Sequence, residues 1–133
     1  MEPLIIQQTE DSPSVIFDHQ KNIFKISGES RPENAGTFYL PILEWLDGYK
    51  KYMFWAKEEF SQTKKTVFEF SLEYFNSTSA KYLLDIMNAL SSIKKEGIEL
   101  TVHWHYDEID EDMFDSGKEL ALMANIEIVF VKQ

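Results

Sequence analysis

The chain has 133 residues, 44% hydrophobic and 14% aromatic, with 13 Lys and Arg against 23 Asp and Glu. That length fits one domain with one core, and the composition argues against disorder. The net charge of −10 argues against nucleic acid and anionic membrane surfaces, which draw on Lys and Arg, and the absence of cysteine excludes a disulfide framework and cysteine-based zinc or redox chemistry. No apolar run reaches membrane-spanning length and no basic region precedes an apolar one at the N-terminus, so a cytoplasmic protein is expected.

In chain order, Leu4–Gln7 reads as a first strand, and residues 9–14 as a turn around Asp11, Ser12 and Pro13. Ser14–Phe17 and Ile23–Ser27 are apolar strands joined by Asp18–Asn22, a β-hairpin. Gly28–Gly36, with two glycines and a proline, reads as a loop. A long helix is expected over about Phe38–Phe60, burying Phe38, Ile42, Trp45, Leu46, Tyr49, Met53, Ala56 and Phe60. Pro41 is expected near its first turn, and Phe54 and Trp55, off that face, are either a partner site or covered by the N-terminal strands or a loop, with cover slightly favoured.

Thr66–Leu72 alternates apolar and polar residues as a strand does. Phe75–Ser79 follows as a turn, and a helix over about Thr78–Glu96 buries Leu83, Ile86, Met87, Leu90 and Ile93, closed by a left-handed Gly97. Leu100–Trp104 is a strand, His105–Asp112 an acidic loop, 110–125 a helix with Met113, Leu120 and Met123 inward, and Glu127–Val131 the last strand. The order β-β-β-α-β-α-β-α-β implies an α/β fold: a mixed sheet with an antiparallel N-terminal edge and a parallel remainder joined by right-handed crossovers. The loops Gly28–Gly36, Phe75–Ser79 and His105–Asp112 would then leave one edge of the sheet, where open α/β sheets place ligands and partners.

Three chemistries compete at these loops. In Asn76-Ser77-Thr78-Ser79, a Ser or Thr could cap the helix, with no Glu or Gln three residues on to complete a capping box. The same hydroxyls could accept phosphate, adding roughly −1.5 to −2 charges that the helix start would favour and the acidic loop would oppose. His103 and His105 share a strand face and could bind a metal with nearby carboxylates, although the acidic run has no EF-hand spacing. Ser77 could act as a nucleophile with either histidine as base, but no elbow, phosphate-binding glycine loop or zinc-protease helix is present, so no catalytic residue is assigned.

The chain also resembles a family. Ile26-Ser27-Gly28-Glu29-Ser30-Arg31-Pro32-Glu33-Asn34, Leu72-Glu73-Tyr74-Phe75-Asn76-Ser77-Thr78-Ser79 and Trp104-His105-Tyr106-Asp107-Glu108 together resemble the SiaC-type regulatory phosphoproteins, over nearly the whole chain. The resemblance implies one domain over residues 1–133 with a fold like that of the anti-sigma-factor antagonists (STAS-like), and a non-enzymatic role with no cofactor or metal. It implies a serine/threonine kinase and a metal-dependent phosphatase as partners, and a diguanylate cyclase that the unphosphorylated form binds and activates, raising cyclic di-GMP. The phosphoacceptor follows the Asn of the motif. That residue is threonine in the family's best-known system and Ser77 here, with Thr78 and Ser79 as alternatives. Glu29, Arg31, Glu33, Asn34, Asn76, Asp107 and Glu108 would shape the partner surface. Two rival readings are a partner-switching module acting on transcription and a small metal-dependent enzyme using His103 and His105.

Overall fold

A computed structural model describes residues 1–56 and 65–133. The strands are β1 (Leu4–Ile6), β2 (Ser14–Asp18), β3 (Ile23–Ser30), β4 (Val67–Phe75), β5 (Thr101–Tyr106) and β6 (Val129–Lys132), and the helices are α1 (Ala35–Ala56), α2 (Ser77–Lys95) and α3 (Glu111–Ala124). They form one mixed sheet in the order β1-β2-β3-β4-β5-β6. β1, β2 and β3 pair antiparallel; β3 to β6 pair parallel, as the element order predicts.

Because each crossover moves the chain one strand in the same direction, right-handed connections put all three helices on one face. The strands record this in their alternation. Phe24, Ile26, Phe68, Phe70, Leu72, Val102 and Trp104 are buried under the helices, while Lys25, Ser27, Glu69, Ser71, His103 and His105 lie half-buried on the open face. α2 buries Leu83, Ile86, Met87, Leu90 and Ile93, as its spacing predicts, and Gly97 at φ +86° closes it. Trp104 lies flat enough against α3 that a Cβ on Gly117 would stand 2.6 Å from its ring.

Several boundaries and faces differ from the expectation. β3 runs through Ser30 and β4 through Phe75, so the connections after them shrink to residues 31–34 and to Asn76 alone. Gly28 lies inside β3 at φ +106°, beside the register shift that lets Ser30 pair with Phe75. β5 likewise absorbs His105 and Tyr106. α1 starts at Ala35, because Asn34 caps it by accepting from the Thr37 N–H at 3.1 Å. Pro41 therefore sits in the second turn, where it cannot bond the Thr37 carbonyl.

The buried face of α1 is Tyr39, Ile42, Leu46, Tyr49, Met53 and Ala56, one position off the predicted Phe38 stripe at its start. Trp45 is only partly buried, its indole N–H donating to Glu2 O at 2.8 Å. Phe54 and Trp55 remain 52% and 69% exposed rather than covered, and Phe60 lies outside the described residues. In α3, Met123 points outward at 59% exposure, and Gly117 and Ala124 take the inward positions beside Met113 and Leu120.

Candidate functional site

At the start of α2 the cap is Asn76, not a hydroxyl residue: its side chain accepts from the Ser79 N–H at 2.8 Å. Asn76 itself is anchored to the neighbouring strand, its N–H donating to Ser30 O at 3.1 Å. The three hydroxyl residues thereby separate. Ser77 and Thr78 occupy the first two helical positions and are exposed. Their N–H groups have no partner one turn earlier, as at any helix start. Ser79, at the third position, is fully buried, which withdraws it from any kinase acting on the folded protein.

Ser79 is buried because it belongs to a hydroxyl chain beneath the turn. The Ser30 hydroxyl donates to Ser79 Oγ at 2.9 Å, and Ser79 Oγ donates to Ser30 O at 3.0 Å. With both serine protons so used, the short contact between Tyr39 OH and Ser30 Oγ has Tyr39 as donor. Burial raises the Tyr39 pKa, while the neighbouring Ser30 and Ser79 hydroxyls oppose the rise. Tyr82 stacks on Tyr39 with ring centroids 5.4 Å apart. One polar cluster thus joins the ends of β3, α1 and α2. Sequence reading passed over Ser30 and Tyr39, although Tyr39, Ile42, Leu46, Tyr49, Met53 and Ala56 form an unbroken three-four spacing that pointed to Tyr39.

The flanking residues divide into two groups. Ser30 is level with Phe75, so the loop after β3 lies beside the Ser77 turn. There Glu29 pairs with Arg31 at 3.3 Å, and Arg31 also reaches the backbone at Glu10 and Asp11. Glu33 is exposed, and Asn34 caps α1. Arg31, Glu33 and Asn34 therefore follow a strand end that lies level with Phe75, two residues before Ser77, and Asn76 adjoins it. Asp107 and Glu108 follow β5 instead. Phe70 is level with Trp104, which sets Tyr106 level with Leu72 and leaves the acidic loop about 10 Å short of Asn76 along the strands. Glu108 faces away to pair with Lys132 at 3.3 Å. At a Debye length of about 8 Å, repulsion between the acidic loop and an anion at Ser77 is largely screened.

The histidines lie on the open face of the sheet. His103 is level with Glu69 of β4, and the ligating atoms of Glu69, His103 and His105 all lie within 4.8 Å of one another. His105 Nε2 and Glu69 Oε1 are 3.0 Å apart. Glu69 was invisible to sequence reading because it joins the histidines only through the parallel register.

The model of the family described as "SiaC family regulatory phosphoprotein" matches residues 6–133. An uncharacterised protein of Pseudomonas aeruginosa strain UCBPP-PA14 is 26% identical over 119 residues, covering 90% of this chain and 87% of that protein. Apo-SiaC from Pseudomonas aeruginosa superposes with a TM-score of 0.79 at 22% identity, covering 100% of this chain and 99% of its own. A structure of the diguanylate cyclase SiaD in complex with its activator SiaC, also from Pseudomonas aeruginosa, gives a TM-score of 0.79 at 22% identity, covering 98% of each chain. The expected mixed α/β architecture is thus that of SiaC, and the chain belongs to the SiaC family.

Proposed function

We propose that this chain is a non-enzymatic binding protein whose hold on an output partner is switched by phosphorylation of Ser77. The observation that carries the proposal is the split of the three hydroxyls. Asn76 caps α2 and Ser79 is buried, so Ser77 is exposed at a helix start without itself being needed to stabilise that start. A phosphate there meets N–H groups and the positive end of the helix dipole, an interaction of about 0.3–2 kcal/mol. Lys81, exposed one turn along α2, adds a cation on the same side.

The surface consequence is a reversal of character. Unmodified, the turn offers hydroxyls beside the Glu29–Arg31 pair and Asn34. Modified, it offers a dianion that Arg31 can pair with in place of Glu29, a surface pair worth only about 0–1 kcal/mol. A partner packed on the first surface meets a phosphate and a rearranged Arg31 on the second. The writer and eraser are a serine/threonine kinase and a metal-dependent phosphatase. The output partner is a diguanylate cyclase, by analogy with the complex of the Pseudomonas relative.

The test uses protein carrying phosphoserine genetically encoded at position 77, together with wild type and Ser77→Ala, against each soluble cyclase domain of the host in turn. The expected outcome is one cyclase that binds wild type and Ser77→Ala alike and loses at least tenfold in affinity for the phosphorylated form. Binding unaffected by the phosphate removes the switch. Failure of every cyclase to bind removes the cyclase as output. Phosphopeptide mapping of protein from host cells should place phosphate on Ser77, and a modification confined to other residues refutes the site.

A further inference from the structure

We propose that Glu69, His103 and His105 form a three-ligand site for a divalent transition-metal ion of the zinc class. The proposal stands apart from the phosphorylation reading, since it concerns the open sheet face and no group at the Ser77 turn.

The donor set is the first argument. Two imidazoles and one carboxylate suit zinc and its neighbours and leave a fourth position for solvent or an incoming donor. The geometry is the second. Side chains two residues apart on β5 point to the same face, and the parallel register brings Glu69 alongside them. All three ligating atoms lie within 4.8 Å of one another, and His105 Nε2 and Glu69 Oε1 stand 3.0 Å apart. Donors at about 2.0–2.1 Å from a tetrahedral zinc are about 3.3 Å from each other, so closure needs only side-chain rotation. The strands that carry the ligands are held by continuous pairing from Val67 to Phe70 and do not have to move.

The surroundings are the third argument. Gln133 Nε2 lies 3.3 Å from His105 Nδ1, a second contact on the ring nitrogen that faces away from Glu69. In the metal-free state the His105 Nε2–H donates to Glu69 and Nδ1 accepts from Gln133. On binding, the ring changes tautomer: Nε2 gives its proton to solvent and offers its lone pair to the metal, Nδ1 takes a proton from solvent, and the Gln133 amide turns so that its oxygen accepts from Nδ1–H. That is the outer-shell bond metal-ligating histidines usually make. His105 and Gln133 also line one wall of a polar cavity of about 390 Å³. Lys25, level with Glu69 on β3, is the opposing charge on this face and forms no ion pair with Glu69 among the described residues.

The test is titration of the purified chain with zinc chloride against a chromogenic chelator, for wild type, Glu69→Gln, His103→Gln, His105→Gln and the control His19→Gln. One equivalent is expected, with at least about tenfold weaker binding in each of the three ligand variants and none in the control. Affinities within twofold of wild type in Glu69→Gln and His103→Gln, or loss in His19→Gln, overturn the site. If a variant misfolds, imidazole nitrogen resonances of the wild type decide. Zinc should shift those of His103 and His105, and a shift confined to His19, or none at all, refutes the proposal.

Discussion

Removing the Ser30 hydroxyl should damage the protein more than removing the Tyr39 hydroxyl, and the second loss should become almost harmless once the first has been made. The reasoning follows the proton directions. Tyr39 donates to Ser30 Oγ, Ser30 Oγ donates to Ser79 Oγ, and Ser79 Oγ donates to Ser30 O. All three residues are fully buried, so water cannot replace a missing partner. Tyr39→Phe deletes one donor and leaves Ser30 Oγ still donating, a loss of about 0.5–1.5 kcal/mol. Ser30→Ala strands the Tyr39 donor and removes the donor to Ser79 Oγ, which puts it at about 1–3 kcal/mol. In the Ser30→Ala background the Tyr39 hydroxyl is a liability, so adding Tyr39→Phe should cost roughly zero or restore stability. Urea unfolding of the four proteins measures this. With a slope of about 1–3 kcal/mol/M, Ser30→Ala should lower the midpoint by about 1 M and the double variant should fall no further. Equal costs for Tyr39→Phe in both backgrounds would show that the hydroxyls are not coupled and would sink the network.

The Asn76 cap makes a separate prediction: Asn76→Ala should cost about 1 kcal/mol and Asn76→Gly only a few tenths, read by thermal or urea unfolding. Equal effects of the two would mean that the side-chain bond to the Ser79 N–H contributes little. At alkaline pH, burial pushes the Tyr49 hydroxyl up to about 12, with Thr66 opposing the shift. Its neutral form is thus favoured by folding, so the stability it confers is complete below pH 10 and is lost as pH rises from 10 through 12. The loss is about 2–3 kcal/mol over that window, and Tyr49→Phe, compared with wild type at each pH, should be spared it. Parallel decline of the two proteins from pH 10 to 12 contradicts the assignment.

Helix α2 shows what could be read directly. Leu83, Ile86, Met87, Leu90 and Ile93 repeat at helical spacing, and all five are buried. Helix α1 shows how small an error loses a residue. Ile42, Leu46, Tyr49, Met53 and Ala56 are buried as expected, but beginning the stripe at Phe38 instead of Tyr39 sets its first residue about 100° off the buried face, because each residue advances the helix by that angle. Tyr39, which anchors the buried hydroxyls, was lost by that one step. The strand ends were misread for another reason. Glu73 and Tyr74 are both exposed in β4 and so break the alternation; Tyr74 belongs to the strand through its pairing with Glu29 of β3, and Glu73 is the residue that the register shift leaves without a β3 partner. The site was partly legible. Ser77 stood out through the motif around it, but capping by Asn76 was missed because the neighbouring hydroxyls were equally able to cap.

The amino-acid sequence by itself determined the type and order of the elements, and with them the mixed sheet, since hydrophobic periodicity is a property of each segment alone. Handedness then settled which face the helices cover. Only the tertiary structure decided which polar side chains meet. Ser30 and Ser79 are 49 residues apart, and Glu69 and His105 are 36 apart. Whether such residues touch depends on strand register and on where each helix begins. These are set by packing across the whole core, where a shift of one residue moves a side chain to the opposite face. That packing buries Ser79, exposes Ser77 and brings Glu69 to the two histidines.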